Sequence, residues 1–382
     1  MRFLPLPLLL LAQHTSASLL SPGQHPIQEP DTSSKSPLLE LHKSLVKHES
    51  ITGNEHNVAK YLVSYLKGKN FTVETQEVGP FQGSTKPREN IYAYIGKQRK
   101  TKVLVSSHID TVPPFWPYER KGDEIWGRGS VDAKGSVATQ IIAVEELLAA
   151  DKLKEGDVSL LFVVGEEVGG DGMRKANDLG LTWDTAIFGE PTELKLASGH
   201  KGTMSFDIVA KGKAGHSGYP ELGKSANAML IPALNLLLNA KMPSSDKYGN
   251  STLNIGKMEG GVAANVIAED ASAKVSIRLA AGTPADIKKI VLDTLLDADA
   301  ELDVIFSGGG YGPIYIDSDV PGFETIVVNY GTDIPNLKGD HKRYLYGPGT
   351  ILMAHSDHEH LEVKDLETAV KGYKTLIEYS LK

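Results

Sequence analysis

The sequence predicts an α/β protein: a mixed, largely parallel sheet covered by helices, with a smaller α+β unit of ferredoxin-like order inserted into it. Two patterns carry that expectation. The runs Lys102 to Ser106, Val158 to Val164 and Thr185 to Phe188 alternate with helical segments and are apolar on both sides, as parallel strands covered on both faces are. Residues 199–310 instead read βαββαβ, the split βαβ arrangement.

Leu39, Leu41, Leu45 and Val46, then Val58, Leu62 and Leu66, recur at helical spacing and predict two amphipathic helices. Phe71 to Val78 and Ile91 to Ile95 are β-type runs, and Val137 to Ala150 is a helix between the first two central strands. In the insert, strands are expected at Thr203 to Ala210, Ser251 to Glu259, Ala271 to Leu279 and Leu302 to Ser307, with helices at Ser225 to Asn239 and Ala285 to Leu296. Gly308-Gly309-Gly310 reads as a hinge, and Pro321 to Tyr330 and Leu366 to Leu381 as helices returning to the first unit. The larger unit therefore comprises residues 37–198 and 311–382.

A chain of 382 residues suits two or three units, and 41% hydrophobic with 23% charged residues is ordinary globular usage. The net charge of -8, from 40 basic against 48 acidic residues, disfavours nucleic acid and anionic membranes as partners. Arg2, the apolar run Phe3 to Ala12 and the small residues Thr15 to Ser18 read as a signal peptide (1–17) cleaved after Ala17. Residues 18–36, rich in Ser, Pro and Gln, read as a leader or pro-segment. The expectation is a secreted protein with no membrane partner after signal removal. It has no cysteine, so stability must come from the core, bound metal or assembly. Asn70-Phe71-Thr72 and Asn250-Ser251-Thr252 are sequons, which makes Asn70 and Asn250 candidate glycosylation sites.

Charged residues gather where apolar strands end, which is where open α/β sheets bind ligands. Val103-Leu104-Val105 runs into His108 and Asp110, which share a face in extended backbone; they read either as a metal ligand with its orienting carboxylate or as a structural pair. Val158 to Val164 runs into Gly165-Glu166-Glu167. Two adjacent carboxylates repel, and extended backbone sends them to opposite sides, one to a metal and the other to water or substrate. Thr185 to Phe188 closes on Glu190. The Gly-rich turn Gly127 to Gly135 delivers Asp132 as a ligand or as a helix cap. His355, His358 and His360 cluster late in the chain, and local spacing does not choose among them.

Together, Ser107 to Pro113, Gly127-Arg128-Gly129 with Asp132 to Gly135, Gly165-Glu166-Glu167, Gly189-Glu190-Pro191 and Ala354-His355 with Glu359 resemble the two-zinc exopeptidase and deacylase family of acetylornithine deacetylase, succinyl-diaminopimelate desuccinylase, aminoacylase and glutamate carboxypeptidase. The resemblance spans Leu38 to Lys382 and implies a zinc-exopeptidase catalytic domain with an inserted lid or dimerisation domain. It implies two zinc ions per subunit: Asp132 bridging, His108 and Glu190 completing one site, Glu167 and His355 the other. Two zinc charges would balance the three carboxylates and a shared hydroxide. It further implies Glu166 as the general base acting on a zinc-bridging water, Asp110 as the orienter of His108, and a cis peptide at Asp132-Ala133.

His216, in Gly215-His216-Ser217-Gly218, matches the family's oxyanion histidine donated by a neighbouring subunit, so a homodimer is possible. Asn265 and Arg278 match its substrate-binding Asn and Arg, the guanidinium suiting a carboxylate. His358 departs from the Asp or Asn usual before the closing Glu. The expected activity is a secreted zinc carboxypeptidase of fungal type acting on peptides. An N-acyl-amino-acid deacylase acting on N-acyl amino acids is the alternative, and a silent binding protein is disfavoured by the intact Glu166.

Overall fold

The apolar runs assemble into a six-stranded sheet in the order Phe71–Glu77, Glu89–Ile95, Val158–Val163, Val103–His108, Thr185–Gly189 and Lys342–Tyr346. The structure is a computed structural model and describes residues 36–298 and 300–382. The expected signal peptide, and all of the leader but Ser36, lie outside the described residues. Val103–His108 pairs in parallel with both Val158–Val163 and Thr185–Gly189, and Lys342–Tyr346 runs parallel to the latter. The first two strands are antiparallel, so the sheet is mixed.

Helix Lys134–Ala149 explains the burial of one face. Its residues are buried continuously from Lys134 to Val144, as expected of a helix that is apolar on every side. Helices Pro37–Lys47 and Val363–Ser380 pack against it. No helix among the described residues is long and apolar enough to cross a membrane.

Residues 202–311 form a separate antiparallel sheet in the order Thr252–Gly260, Asp270–Leu279, Gly202–Lys211 and Leu302–Tyr311. Its strands alternate buried and exposed positions, so one face packs under helices Ala226–Asn239 and Pro284–Leu296. Ser225 caps the first helix, and Thr283 with Asp286 forms a capping box on the second.

Two expectations fail. Pro321 to Tyr330 is not a helix: Thr325–Val328 is a strand, parallel to Leu196–His200. Its β-branched Thr-Ile-Val-Val run follows Pro321 and Gly322, and a neighbouring strand supplies the pairing that local periodicity does not reveal. Gly308 to Gly310 is not a hinge between units but part of Leu302–Tyr311, where the register shifts between Ser307 and Tyr311 as at a bulge. Local reading also passed over the helix Asp171–Ala176, the strand Lys342–Tyr346 and the small hairpin Glu119–Lys121 with Glu124–Trp126.

Two histidines are buried as neutral rings away from the strand-end carboxylates. The His42 ring donates to the Ser130 carbonyl (2.9 Å), and His200 donates to the Lys201 carbonyl (2.7 Å) and meets the Thr332 hydroxyl (3.1 Å). Burial holds both at about 4, against 6.5 for a free ring. Their contribution to stability is complete above pH 6.5 and is lost as the pH falls towards about 4, because only the unfolded chain binds the proton in that window. Each is worth on the order of 3 kcal/mol. Urea midpoints should therefore fall between pH 7 and pH 4, and the drop should be smaller in a His42→Gln/His200→Gln variant. An equal drop in both proteins contradicts the assignment.

Candidate active site

Strand order builds the site. Because Val103–His108 lies between Val158–Val163 and Thr185–Gly189, the turns after all three strands meet at one end of the sheet. His108 closes the first strand, and the turns after the other two carry Glu166 and Glu167, then Glu190. Asp132 enters from the turn before helix Lys134–Ala149, and His355 from the loop that precedes strand His360–Glu362. The Asp132–Ala133 peptide is cis.

The result is two three-residue clusters sharing one carboxylate. His108, Asp132 and Glu190 form the first, and Asp132, Glu167 and His355 the second; in each, one ligand atom per residue lies within 4.8 Å of the others. Asp132 Oδ1 is 3.0 Å from His108 Nε2, while its Oδ2 is 3.3 Å from His355 Nε2. Glu190 Oε1 stands 3.7 Å from His108 Nε2, and Glu167 Oε2 stands 2.9 Å from His355 Nε2. One carboxylate thus addresses a different histidine with each oxygen.

The two adjacent glutamates separate by a route the extended-backbone argument does not contain. Gly165 adopts a left-handed conformation (φ 76°), and Glu166–Val168 is a tight 3-10 turn. Glu167 joins His355, and Glu166 lines the cavity beside the clusters.

Burial is the largest influence on these carboxylates. It raises Glu167 to about 7, aided by Asp132 and opposed by His355, and raises Glu190 to about 8 against the pull of His108. Glu166 is raised well above the usual range by loss of hydration and by Glu190. Burial also opposes the charged form of Asp132, but hydrogen bonds from His108 and His355 outweigh it and hold Asp132 low. Hydrogen bonds to Asp132 and Glu167 raise His355 to about 10.

The donor set fits metal. Imidazole nitrogen with carboxylate oxygen suits zinc, and three protein ligands per ion leave a position open. Glu167 Oε1 is buried without a hydrogen-bond partner, as an oxygen reserved for an ion would be. His108 Nδ1 donates to the Asp110 carbonyl (3.0 Å), so Nε2, which faces Asp132 and Glu190, becomes the ligand atom once its proton is displaced. Metal uptake must displace protons from Glu167 and Glu190, and from His355 and His108, which their carboxylate neighbours hold in the charged form. Zinc affinity should therefore rise with pH from about 7 to about 10, with proton release seen by calorimetry in buffers of different ionisation enthalpy. A pH-independent affinity would refute this.

Asp110 lies against the His108 ring as expected: its backbone carbonyl accepts from Nδ1 (3.0 Å), and a carboxylate oxygen stands 3.5 Å from the same nitrogen. The carboxylate also accepts the N–H groups of Glu166 (3.1 Å) and Glu167 (3.3 Å) and the Thr52 hydroxyl (2.7 Å). Asp110 therefore orients the glutamate turn together with His108.

Glu359, which sequence reasoning used only as part of a motif, is a buried clamp. It accepts the backbone N–H groups of Val131 (3.1 Å) and Asp132 (3.2 Å), and it pairs with the buried guanidinium of Arg128 (2.6 Å). A glutamate four residues after a candidate ligand was the available signal.

The clusters open into a cavity of about 850 Å³ that Arg278 and Tyr311 line from the inserted sheet. His216 and Asn265 do not line it. They lie together elsewhere on the insert, where His216 pairs with Val266 and Ser217 N–H donates to the Asn265 carbonyl (3.1 Å). His358 is exposed and bonded to Asp357, and His360 stacks on Trp126, so neither joins a cluster. Asn70 and Asn250 are exposed.

An α/β sheet whose adjoining strand ends hold paired His and carboxylate clusters defines a hydrolase of the metallopeptidase class. The chain belongs to peptidase family M20/M25/M40, whose model matches residues 104–379. It is 48% identical to a peptidase M20 domain-containing protein of Schizosaccharomyces pombe over 389 residues, covering 97% of this chain and 94% of the relative. It is 47% identical to a probable carboxypeptidase of Aspergillus flavus over 381 residues (91% of this chain, 88% of the relative). The fold matches a Staphylococcus aureus tripeptidase with TM-score 0.75 at 22% identity, over 90% of this chain and 98% of that one. It matches an M20 family metallo-carboxypeptidase of Sulfolobus solfataricus with TM-score 0.71 at 19% identity (91% and 99%).

Proposed function

We propose that this protein is a secreted zinc carboxypeptidase that hydrolyses the C-terminal amide bond of peptides. The observation that carries the reading is the geometry of Asp132, whose two oxygens serve two histidines 3.0 and 3.3 Å away beside a cavity that also holds Glu166 and Arg278. His108 and Glu190 would hold one zinc ion, Glu167 and His355 the other, and Asp132 both. When bound, zinc would polarise the substrate carbonyl and acidify water. Glu166 takes a proton from the attacking water and returns it to the leaving nitrogen, its raised basicity suiting both transfers. Arg278 receives the terminal carboxylate. The name borne by the Aspergillus flavus relative supports the same activity.

His216 and Asn265 serve the cavity of a second copy, in a homodimer formed through the inserted unit. Light scattering tests this, and a monomer at working concentration would sink it. Asn70 and Asn250 carry glycans in the secreted form.

Incubating the zinc-loaded protein with N-blocked peptides bearing free or amidated C-termini, together with N-acetyl amino acids, tests the activity by mass spectrometry. Release of C-terminal residues from free but not amidated peptides is expected. Cleavage confined to N-acetyl amino acids would make the protein a deacylase instead.

A further inference from the structure

The cavity beside the clusters holds more positive charge than a terminal carboxylate needs. Its acidic lining residues are Asp132, Glu166, Glu167 and Glu190, all within the metal clusters or the proton-transfer site, and its arginines are Arg278 and Arg174. Arg174 pairs with no carboxylate among the described residues. One of its nitrogens donates to the Gly169 carbonyl, and Asp333 feels its charge without forming an ion pair with it.

The helix that carries Arg174, Asp171–Ala176, is anchored. Its Met173 and Ala176 are buried. Asp171 of that helix is gripped by both terminal nitrogens of the buried Arg88 (2.7 and 3.1 Å), which Glu55 holds in turn at 3.1 Å. The walls around it leave room: a Cβ added at Gly169, Gly308 or Gly309 would meet nothing within 4 Å. Arg174 is itself exposed, and a guanidinium without a carboxylate partner at the wall of a concave site offers a ligand carboxylate a bidentate contact.

We propose that Arg174 is a specificity residue that binds the acidic side chain of a residue flanking the scissile bond, so that the enzyme prefers peptides carrying Glu or Asp there. The inference rests on the carboxypeptidase reading, in which Arg278 takes the terminal carboxylate; Arg174 takes the second one.

The test compares kcat/KM for N-blocked peptides with Glu, Gln, Leu or Lys at the last or the penultimate position, using the zinc-loaded wild type, Arg174→Gln and Arg174→Glu. Glu should exceed Gln by about tenfold or more at one of the two positions, the worth of a charge-assisted hydrogen bond. Arg174→Gln should erase that ratio while leaving the Leu peptide unchanged, and Arg174→Glu should shift preference towards Lys. Equal rates for Glu and Gln, or a preference that survives Arg174→Gln, would overturn the proposal. Failure of the carboxypeptidase reading would show separately, as no C-terminal release from any peptide. Calorimetry with N-acetylglutamate and N-acetylglutamine reads the contact at the last position without turnover: tighter binding of the former that Arg174→Gln abolishes supports it, and equal affinity in the wild type together with equal rates for Glu and Gln at the penultimate position overturns it.

Discussion

Glu166→Gln should retain its full complement of metal and lose turnover, with kcat falling between about a hundredfold and ten-thousandfold, the range for removing a general acid-base group. Glu166 belongs to neither three-residue cluster, yet it lines the same cavity. The isosteric amide keeps the backbone bond from Glu166 N–H to Asp110 (3.1 Å) and removes only the site that holds a proton. Glu167→Gln makes the contrasting case, because it removes a charged oxygen 2.9 Å from His355 Nε2 and should cost metal as well as rate. Metal content by atomic absorption and initial rates on one peptide separate the two. A Glu166→Gln protein that keeps a tenth of its activity, or loses metal, would refute its assignment as the proton carrier.

Glu359→Ala should destabilise the fold by about 3–5 kcal/mol, the usual consequence of leaving one half of a buried ion pair without its partner. Arg128 is buried, and the N–H groups of Val131 and Asp132 lose their shared acceptor at the same time. The loss should also reach metal binding, since Glu359 fixes the backbone of Asp132 and lies four residues from His355, which itself holds a positive φ of 60°. Glu359→Gln keeps an oxygen for the two amides and should be milder. The exposed Glu362→Ala is the control, expected within about 0.5 kcal/mol. Urea unfolding and zinc titration measure both effects, and a Glu359→Ala protein as stable as the control would exclude the clamp.

Much of this site is legible in local chemistry. His108, Glu166, Glu167 and Glu190 follow strands whose residues are buried throughout, and a carboxylate or imidazole at such a boundary needs a reason to be there. The strands and helices of the insert were equally plain, because alternating burial writes a period of two and helices a period of 3.6. Local reading failed where a partner decided the outcome. Thr325–Val328 is a strand because Leu196–His200 lies beside it, and the three glycines bulge because their strand must stay paired across them. Asp110 reads locally as the partner of the His108 ring, but that its carboxylate also holds the turn of Glu166 and Glu167 depends on contacts across 56 and 57 residues.

By itself the sequence determined the alternation of elements, the residue types at the strand ends and the family to which their combination belongs, since each of these is written in short-range spacing and side-chain chemistry. Only the tertiary structure decided that Asp132 offers one oxygen to each histidine, that Glu359 clamps the Asp132 backbone, that Arg174 stands in the same cavity as Arg278, and that His216 and Asn265 stand outside it. Those relations join residues far apart in the chain. They depend on strand order and packing, which no local period encodes.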